Sequence, residues 1–210
     1  MLTFALSKGR LADKILKYLC RLGFCDIEID QDDRRLLIET EDKRFRFFLA
    51  KPSDVPTFVE YGVADLGIVG KDTILEENRD ITEVLDLGFG ACRMCVCGKE
   101  GFGEAALNPP VLRVATKYPN IAKRYFDSKH QNTEIIKLNG SVELGPVTGL
   151  SDVIVDIVES GKTLRENGLE VVRVICELSA RLIANNASIK TKFEEIQEII
   201  HGLQTLVEEG

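Results

Sequence analysis

One stretch of the sequence combines residue types that an ordinary core strand does not hold. Ser151-Asp152-Val153-Ile154-Val155-Asp156-Ile157-Val158-Glu159-Ser160-Gly161-Lys162-Thr163-Leu164 is an apolar run interrupted by acids and closed by a hydroxyl–glycine turn. In open α/β sheets ligands bind beyond the carboxyl ends of strands, where a loop entering a helix offers unpaired backbone N–H groups to a phosphate. Ser160 to Thr163 can form such a cradle. Asp156 stands between Val155 and Ile157, and a buried carboxylate is costly unless it is hydrogen-bonded or paired. The hydroxyls of a sugar would supply such partners; capping of the adjacent loop is the competing role. Gly161-Lys162-Thr163 also matches the end of a Walker A loop, but the first glycine of that motif would fall on Asp156, inside the apolar run, which excludes it.

Other candidate groups cluster after short apolar runs. Ser7-Lys8-Gly9-Arg10 follows Leu2 to Leu6, Lys51 follows Phe47 to Ala50, and Gly70-Lys71-Asp72 follows Ala64 to Val69. Each run then leads into helical periodicity, so each reads as strand, loop, helix. Cys92, Cys95 and Cys97 invite a metal reading, but a structural zinc site wants four Cys or His ligands, and no second cluster completes it. The six cysteines are read as free thiols. His130 and His201 lie in polar or helical contexts away from these loops and take no catalytic role.

The elements that position these groups follow from periodicity. Leu11, Ile15 and Leu19 share a helical face; Pro52-Ser53-Asp54 starts a helix with Pro56 in its first turn and Gly62 after its end. A short helix begins near Thr73. Leu85 to Cys97 is an apolar, glycine-punctuated stretch. Leu112 to Ala115 is a strand whose Thr116 and Pro119 suit a helix start, and Ile135 to Leu138 is another. Gly140 to Leu144 resembles a first helical turn, Val153 to Val158 a buried parallel strand, and Val171 to Ile175 a further strand. Phe193, Ile196, Ile200, Leu203 and Val207 mark the apolar face of a last helix. Alternating strands and helices predict an α/β fold with parallel sheets.

Composition bounds the function. The 210 residues suffice for one good core or two modest ones, since domains usually run to about 100–150 residues. Apolar residues make up 44% and charged residues 29%, as in ordinary globular proteins. Lys plus Arg number 27 against 34 Asp plus Glu, a net charge of −7, so the basic footprint of a nucleic-acid binder is missing. Anionic ligands must be held by local groups. No apolar run approaches the roughly 18 residues of a membrane span, and Met1 to Arg10 lacks the pattern of a secretion signal, so a cytoplasmic location without membrane contact is expected.

Acid, apolar residues, acid, then a hydroxyl–glycine–x–threonine turn resembles the phosphoribosyl pyrophosphate (PRPP) motif of phosphoribosyltransferases. Ser7-Lys8-Gly9-Arg10-Leu11 resembles the opening of the ATP phosphoribosyltransferases, as do Asp65-Leu66-Gly67-Ile68-Val69-Gly70-Lys71-Asp72, Cys92-Arg93 and Gly140-Ser141-Val142-Glu143. These matches run in order from Ser7 to about Gly168, and the length resembles the short-form catalytic subunit. Ser160 stands where a threonine is usual, and Lys51 where the family often has arginine; both keep the hydroxyl or the charge, although Lys lacks the bidentate fork of Arg.

The resemblance implies two lobes like a periplasmic binding protein with the site in the cleft: residues 1–87 with 173–210 on the ATP and pyrophosphate side, and residues 88–172 on the PRPP side. The chain is read as crossing near Leu87 to Gly90 and Arg173 to Ser179. N1 of ATP would attack C1 of PRPP with Mg²⁺ on the pyrophosphate, the first step of histidine biosynthesis, with no covalent nucleophile and no direct protein ligand to the metal. Glu159, Ser160, Gly161, Lys162 and Thr163 would hold the 5′-phosphate, with Asp152 or Asp156 on the ribose hydroxyls. Lys8, Gly9, Arg10, Lys51 and Arg93 would face the pyrophosphate or triphosphate; Asp72 and Glu143 would orient substrate or hydrated Mg²⁺. Arg10, Arg93 and Asp156 would position the reacting groups. The long form adds a regulatory domain, whereas this sequence stops after its last amphipathic helix. Short forms work with a separate regulatory subunit resembling histidyl-tRNA synthetase, so a hetero-oligomer, self-association and weak activity alone are expected. A two-lobed binding module without chemistry is the competing class.

Overall fold

A computed structural model describes residues 1–25 and 35–209. The chain forms two units, Met1–Gly90 with Ser179–Gly210, and Ala91–Leu178. It leaves the first unit three residues later than the expected Leu87, and returns six residues later than Val172. The reason for the second offset is a strand that runs unbroken from Leu169 to Leu178.

The first unit contains β1 (Leu2–Ser7), α1 (Arg10–Arg21), β2 (Ile38–Glu39), β3 (Phe45–Ala50), α2 (Val55–Glu60), β4 (Leu66–Gly70), α3 (Lys71–Glu77) and β5 (Thr82–Asp86). The second contains β6 (Cys92–Lys99), β7 (Leu112–Thr116), α4 (Pro119–Ser128), β8 (Thr133–Lys137), α5 (Leu144–Thr148), β9 (Val153–Val158), α6 (Lys162–Glu166) and β10 (Leu169–Leu178). The first unit then closes with β11 (Ala180–Ala184), α7 (Ser188–Thr191) and α8 (Phe193–Glu208).

Strand order in the first sheet is β2-β3-β1-β4-β11-β5, and in the second β10-β6-β9-β7-β8. Both are mixed, which corrects the expectation of parallel sheets. β1 lies parallel to β3 and β4, and β7 parallel to β8 and β9. β11 runs antiparallel to β4 and β5, and β6 antiparallel to β9 and β10. Antiparallel neighbours need no crossover helix between them, so the segments that carry the chain between units join each sheet in that sense.

β1 is buried on both faces, as expected of a parallel central strand. Leu2, Phe4 and Leu6 pack with Phe47, Ile68 and Leu182 beneath α1 and α8, while Ala5 faces Val55, Val59 and Ile183 beneath α2. Gly67 permits the second layer: a Cβ there would lie 2.8 Å from Val59 and 2.9 Å from Val55. The buried stripe of α8 is Ile196, Ile199, Leu203 and Leu206, whereas Phe193 is exposed, so the stripe is rotated from the expected one. Asp65, 5% exposed, accepts from the Thr3 N–H at 2.8 Å, the Ser188 hydroxyl at 2.6 Å and the Lys192 ammonium at 2.8 Å. It ties the last helices to the amino end of β4, away from Asp72. In the second unit Cys95, Cys97, Ala115, Val142, Ile154, Val158 and Leu164 form the core on one sheet face. Among the described residues no helix is long and apolar enough to cross a membrane.

Candidate active site

In each unit the candidate residues gather where parallel strands end. At the carboxyl ends of β1, β3 and β4 stand Lys8-Gly9-Arg10, Lys51 and Asp72. The Lys8 N–H donates to the Ala50 carbonyl at 3.0 Å, which ties the first of these loops to the end of β3. Gly9 precedes α1 at φ 107°, a left-handed value that a side chain would strain, so the turn placing Lys8 and Arg10 depends on glycine. Asp72 lies in the first turn of α3, where a carboxylate meets the positive helix end, and its carboxylate folds back over Gly70 into the space a side chain there would fill. Ser7, 2% exposed at the end of β1, holds a hydroxyl with no hydrogen-bond partner among the described residues. A buried polar group of this kind calls for an explanation, and at this strand end a ligand would supply one.

The second unit carries the other set. Residues of β6 and β9 pair antiparallel, and Arg93 lies opposite Val158, immediately before Glu159 and Ser160. Gly161 takes φ 69° and opens α6, and its missing Cβ would stand 3.3 Å from the Arg165 guanidinium. Arg165 donates to the Ser160 carbonyl at 3.2 Å, and the Lys162 N–H to the Ser160 hydroxyl at 3.4 Å. Lys162 reaches Glu166 one helical turn on, at 3.8 Å, and Thr163 is exposed. Arg93, Ser160, Gly161 and Arg165 line an open concavity of about 460 Å³, together with Glu100 and Glu170.

Asp156 lies opposite Cys95, on the sheet face that carries the Cys97 and Ile154 side chains. Burial raises its carboxyl above the ordinary value, and Glu143 adds to this, against the pull of the Ile157 N–H and of Lys117. Glu143 stands at the start of α5, after a turn in which Ser141 takes φ 48°, a conformation non-glycine residues adopt rarely. On the same face burial pushes the Cys97 thiol up to about 12, with Cys95, Asp156 and Glu143 acting in the same direction and Arg93 opposing. Such a thiol stays protonated and is no nucleophile.

One expected residue is not brought to this group. Asp152 precedes β9 at its amino end, remote from the Ser160 turn at the carboxyl end. It receives the Arg113 guanidinium at 2.6 Å and 3.3 Å and the Arg113 N–H at 2.9 Å. These bonds clamp Asp152 to Arg113 on β7. Sequence reasoning passed over Lys117 and Arg165, and it named Ser7 only within the loop that runs to Arg10. Arg165 could have been found from its spacing, one helical turn after Gly161.

Two α/β units whose strand ends carry glycine turns and charged groups define the class: a periplasmic-binding-protein-like fold. The family described as HisG: ATP phosphoribosyltransferase matches residues 51–205. An ATP phosphoribosyltransferase of Lachnospira eligens is 56% identical over 209 residues, covering 99% of this chain and 97% of that one. Another, from Caldicellulosiruptor bescii, is 53% identical with both chains covered in full. The chain belongs to the ATP phosphoribosyltransferase family. Its structure is similar to the ATP phosphoribosyl transferase (HisG:HisZ) complex from Thermotoga maritima, with a TM-score of 0.86 and 37% identity over 100% of both chains. The periplasmic aliphatic sulphonate binding protein SsuA from Escherichia coli shares the fold alone, at a TM-score of 0.63 and 12% identity, covering 98% of this chain and 68% of that one.

Proposed function

We propose that this chain transfers the 5-phosphoribosyl group of PRPP to N1 of ATP, giving phosphoribosyl-ATP and pyrophosphate, the first step of histidine biosynthesis. The observation that carries the assignment of its site is the carboxyl end of β9. There a half-buried carboxylate, Asp156, is followed within five residues by a left-handed glycine that opens a helix, with Arg93 across the strand pair.

The residues divide the work by charge. Backbone N–H groups from Ser160 to Thr163 receive the 5′-phosphate, with the Ser160 and Thr163 hydroxyls, Lys162 and the backbone of Glu159 around it. Asp156 accepts from the ribose hydroxyls and faces the positive charge that develops on the ring as the C1–oxygen bond breaks and the C1–N1 bond forms. Arg93, Lys8, Arg10 and Lys51 oppose the charge of the departing pyrophosphate and of the triphosphate, and Gly9 lets the backbone come close. Glu143 orients substrate or hydrated Mg²⁺. Positioning of this kind contributes up to roughly 7–11 kcal/mol to a displacement, without a covalent intermediate. A Mg²⁺ would be carried in on the substrate phosphates with most of its waters retained, and Asp72 would orient those waters. When bound, such an ion would supply charge neutralisation on the leaving group.

A cytoplasmic location and a hetero-oligomer with a regulatory subunit belong to the same reading. The Thermotoga maritima relative is a HisG:HisZ complex, which supports a partner of that kind here. Pyrophosphate release measured with PRPP, ATP and Mg²⁺, with and without the partner, tests the proposal. Release that requires ATP and rises with the partner is expected, with histidine inhibition appearing only in the complex. Ligand-induced stabilisation without pyrophosphate release would identify a binding module instead, and full, histidine-sensitive turnover by the chain alone would remove the partner.

A further inference from the structure

The turn from Ser160 to Thr163 is held by a residue that lies beyond it. Arg165 stands in the last turn of α6, where a cation ordinarily serves the carbonyls of its own helix end. Its side chain instead runs back along the helix, and Nη1 donates to the Ser160 carbonyl at 3.2 Å. The Arg165 backbone N–H takes the next carbonyl, that of Gly161, also at 3.2 Å. One residue thus holds two consecutive peptide units, one through its side chain and one through its main chain. Gly161 leaves room for the first contact, since a Cβ there would stand 3.3 Å from Nη1. Lys162, the other cation of α6, reaches along the helix to Glu166 at 3.8 Å.

A trans peptide is planar, and its C=O and N–H point in opposite directions. A carbonyl pinned on one side therefore aims the N–H of the same unit to the other. The Ser160 carbonyl sets the Gly161 N–H, and the Gly161 carbonyl sets the Lys162 N–H. The second of these N–H groups meets the Ser160 hydroxyl at 3.4 Å; the first is the donor that the guanidinium directs.

We propose that Arg165 is a positioning residue of the phosphoribosyl site, whose guanidinium fixes the Ser160–Gly161 peptide so that its N–H faces the substrate phosphate before the ligand arrives. The inference rests on the reading of this turn as the 5′-phosphate cradle. A glycine turn is free to adopt many conformations, and holding its carbonyls in advance removes the ordering cost from binding. Arg165 also lines, with Arg93, Ser160 and Gly161, the concavity of about 460 Å³ at this strand end, so the same guanidinium adds positive charge to its wall. Glu100 and Glu170 line it too, and Glu170 is engaged by the Gly101 N–H at 2.9 Å.

Calorimetry with ribose 5-phosphate and with PRPP, on the full chain, compares the parent with Arg165→Ala and Arg165→Lys. Arg165→Ala should bind both ligands at least about tenfold more weakly, the scale of losing a hydrogen bond from a charged donor. Lysine can still donate to the Ser160 carbonyl and should recover most of the affinity. KM for PRPP should rise in Arg165→Ala while kcat and KM for ATP stay nearly unchanged, a split that a merely structural arginine would not give. In chain labelled with ¹⁵N at glycine, the Gly161 amide, assigned by its loss in Gly161→Ala, should shift in the unliganded Arg165→Ala protein. Arg165 is exposed, so the alanine variant should fold; Arg165→Gln is the second variant should it not. Equal affinities in the parent and Arg165→Ala overturn the proposal, as does a Gly161 amide that ignores the arginine or a parent chain with affinity for neither ligand. The binding measurements need no turnover, so a chain that holds ribose 5-phosphate on this turn but releases no pyrophosphate counts against the transferase reading alone.

Discussion

Because burial, reinforced by Glu143, raises the Asp156 carboxyl, the ionised form is the one the folded chain accommodates least. The stability associated with this residue is therefore fully present below its ordinary value of 3.8 and is lost as pH rises through the folded value. At pH 7 to 8 Asp156 works against the fold. Asp156→Asn should leave the unliganded melting temperature unchanged or slightly higher, while kcat/KM for PRPP falls by about a hundredfold, the scale of losing one aligned electrostatic partner. A variant that melts well below the parent yet turns over normally would assign Asp156 to structure. Gly161 gives the complementary case. Its φ of 69° is strained for any side chain, and a valine there would crowd Arg165 and close the approach to the backbone N–H groups. Gly161→Val should remain folded, because the position is at a surface turn, and should lose PRPP affinity by at least about tenfold. Unchanged affinity by calorimetry in the folded variant would take this turn out of the site.

At the scale of elements, β9 separates two acids that look equivalent in sequence. Asp152 and Asp156 flank the same apolar run, but Asp152 is held below its ordinary value by the Arg113 side chain against the cost of burial. A lowered carboxyl contributes stability above its unfolded value and loses it as pH falls through the folded one. Asp152→Asn should therefore melt a few degrees below the parent at pH 7, with the difference shrinking below about pH 4, and should keep its turnover per folded molecule. Gly67 governs the layer above β4: Gly67→Ala should destabilise by about 1–3 kcal/mol, since the added methyl meets Val55 and Val59 on α2. Equilibrium denaturation measures it directly. The strands β1, β4 and β9 were legible because buried parallel strands read as continuous apolar runs. β11 was not, since Ala180 to Ala184 follows β10 with only Ser179 between and carries no turn residue to mark its start. The rotated stripe of α8 has a related cause: Ile196, Ile199 and Ile200 are all apolar, and only the packed neighbour decides which of them faces inward. In the site, Ser160 to Thr163 and Asp156 could be read locally, whereas the Asp152–Arg113 clamp joins residues 39 positions apart.

For the whole molecule, the order of strands in the first sheet sets the order in which it can be completed. β5 reaches that sheet only through β11, its partner from Thr82 to Asp86, and β11 is encoded after the entire second unit. During synthesis from the N-terminus, Ala91–Leu178 can therefore close its own five-stranded sheet while the first unit still has a gap between β4 and β5. Until Ala180 to Ala184 arrives, the edge of β4 is unpaired, with Gly67, Ile68 and Val69 open to the wrong partner. Made after the second unit, β11 and α8 act as the seal on a half-built core. Pulsed hydrogen exchange during refolding should show protection in β6, β7 and β9 before β5 and β11, and a chain truncated after Leu178 should aggregate through its first unit while its second stays ordered.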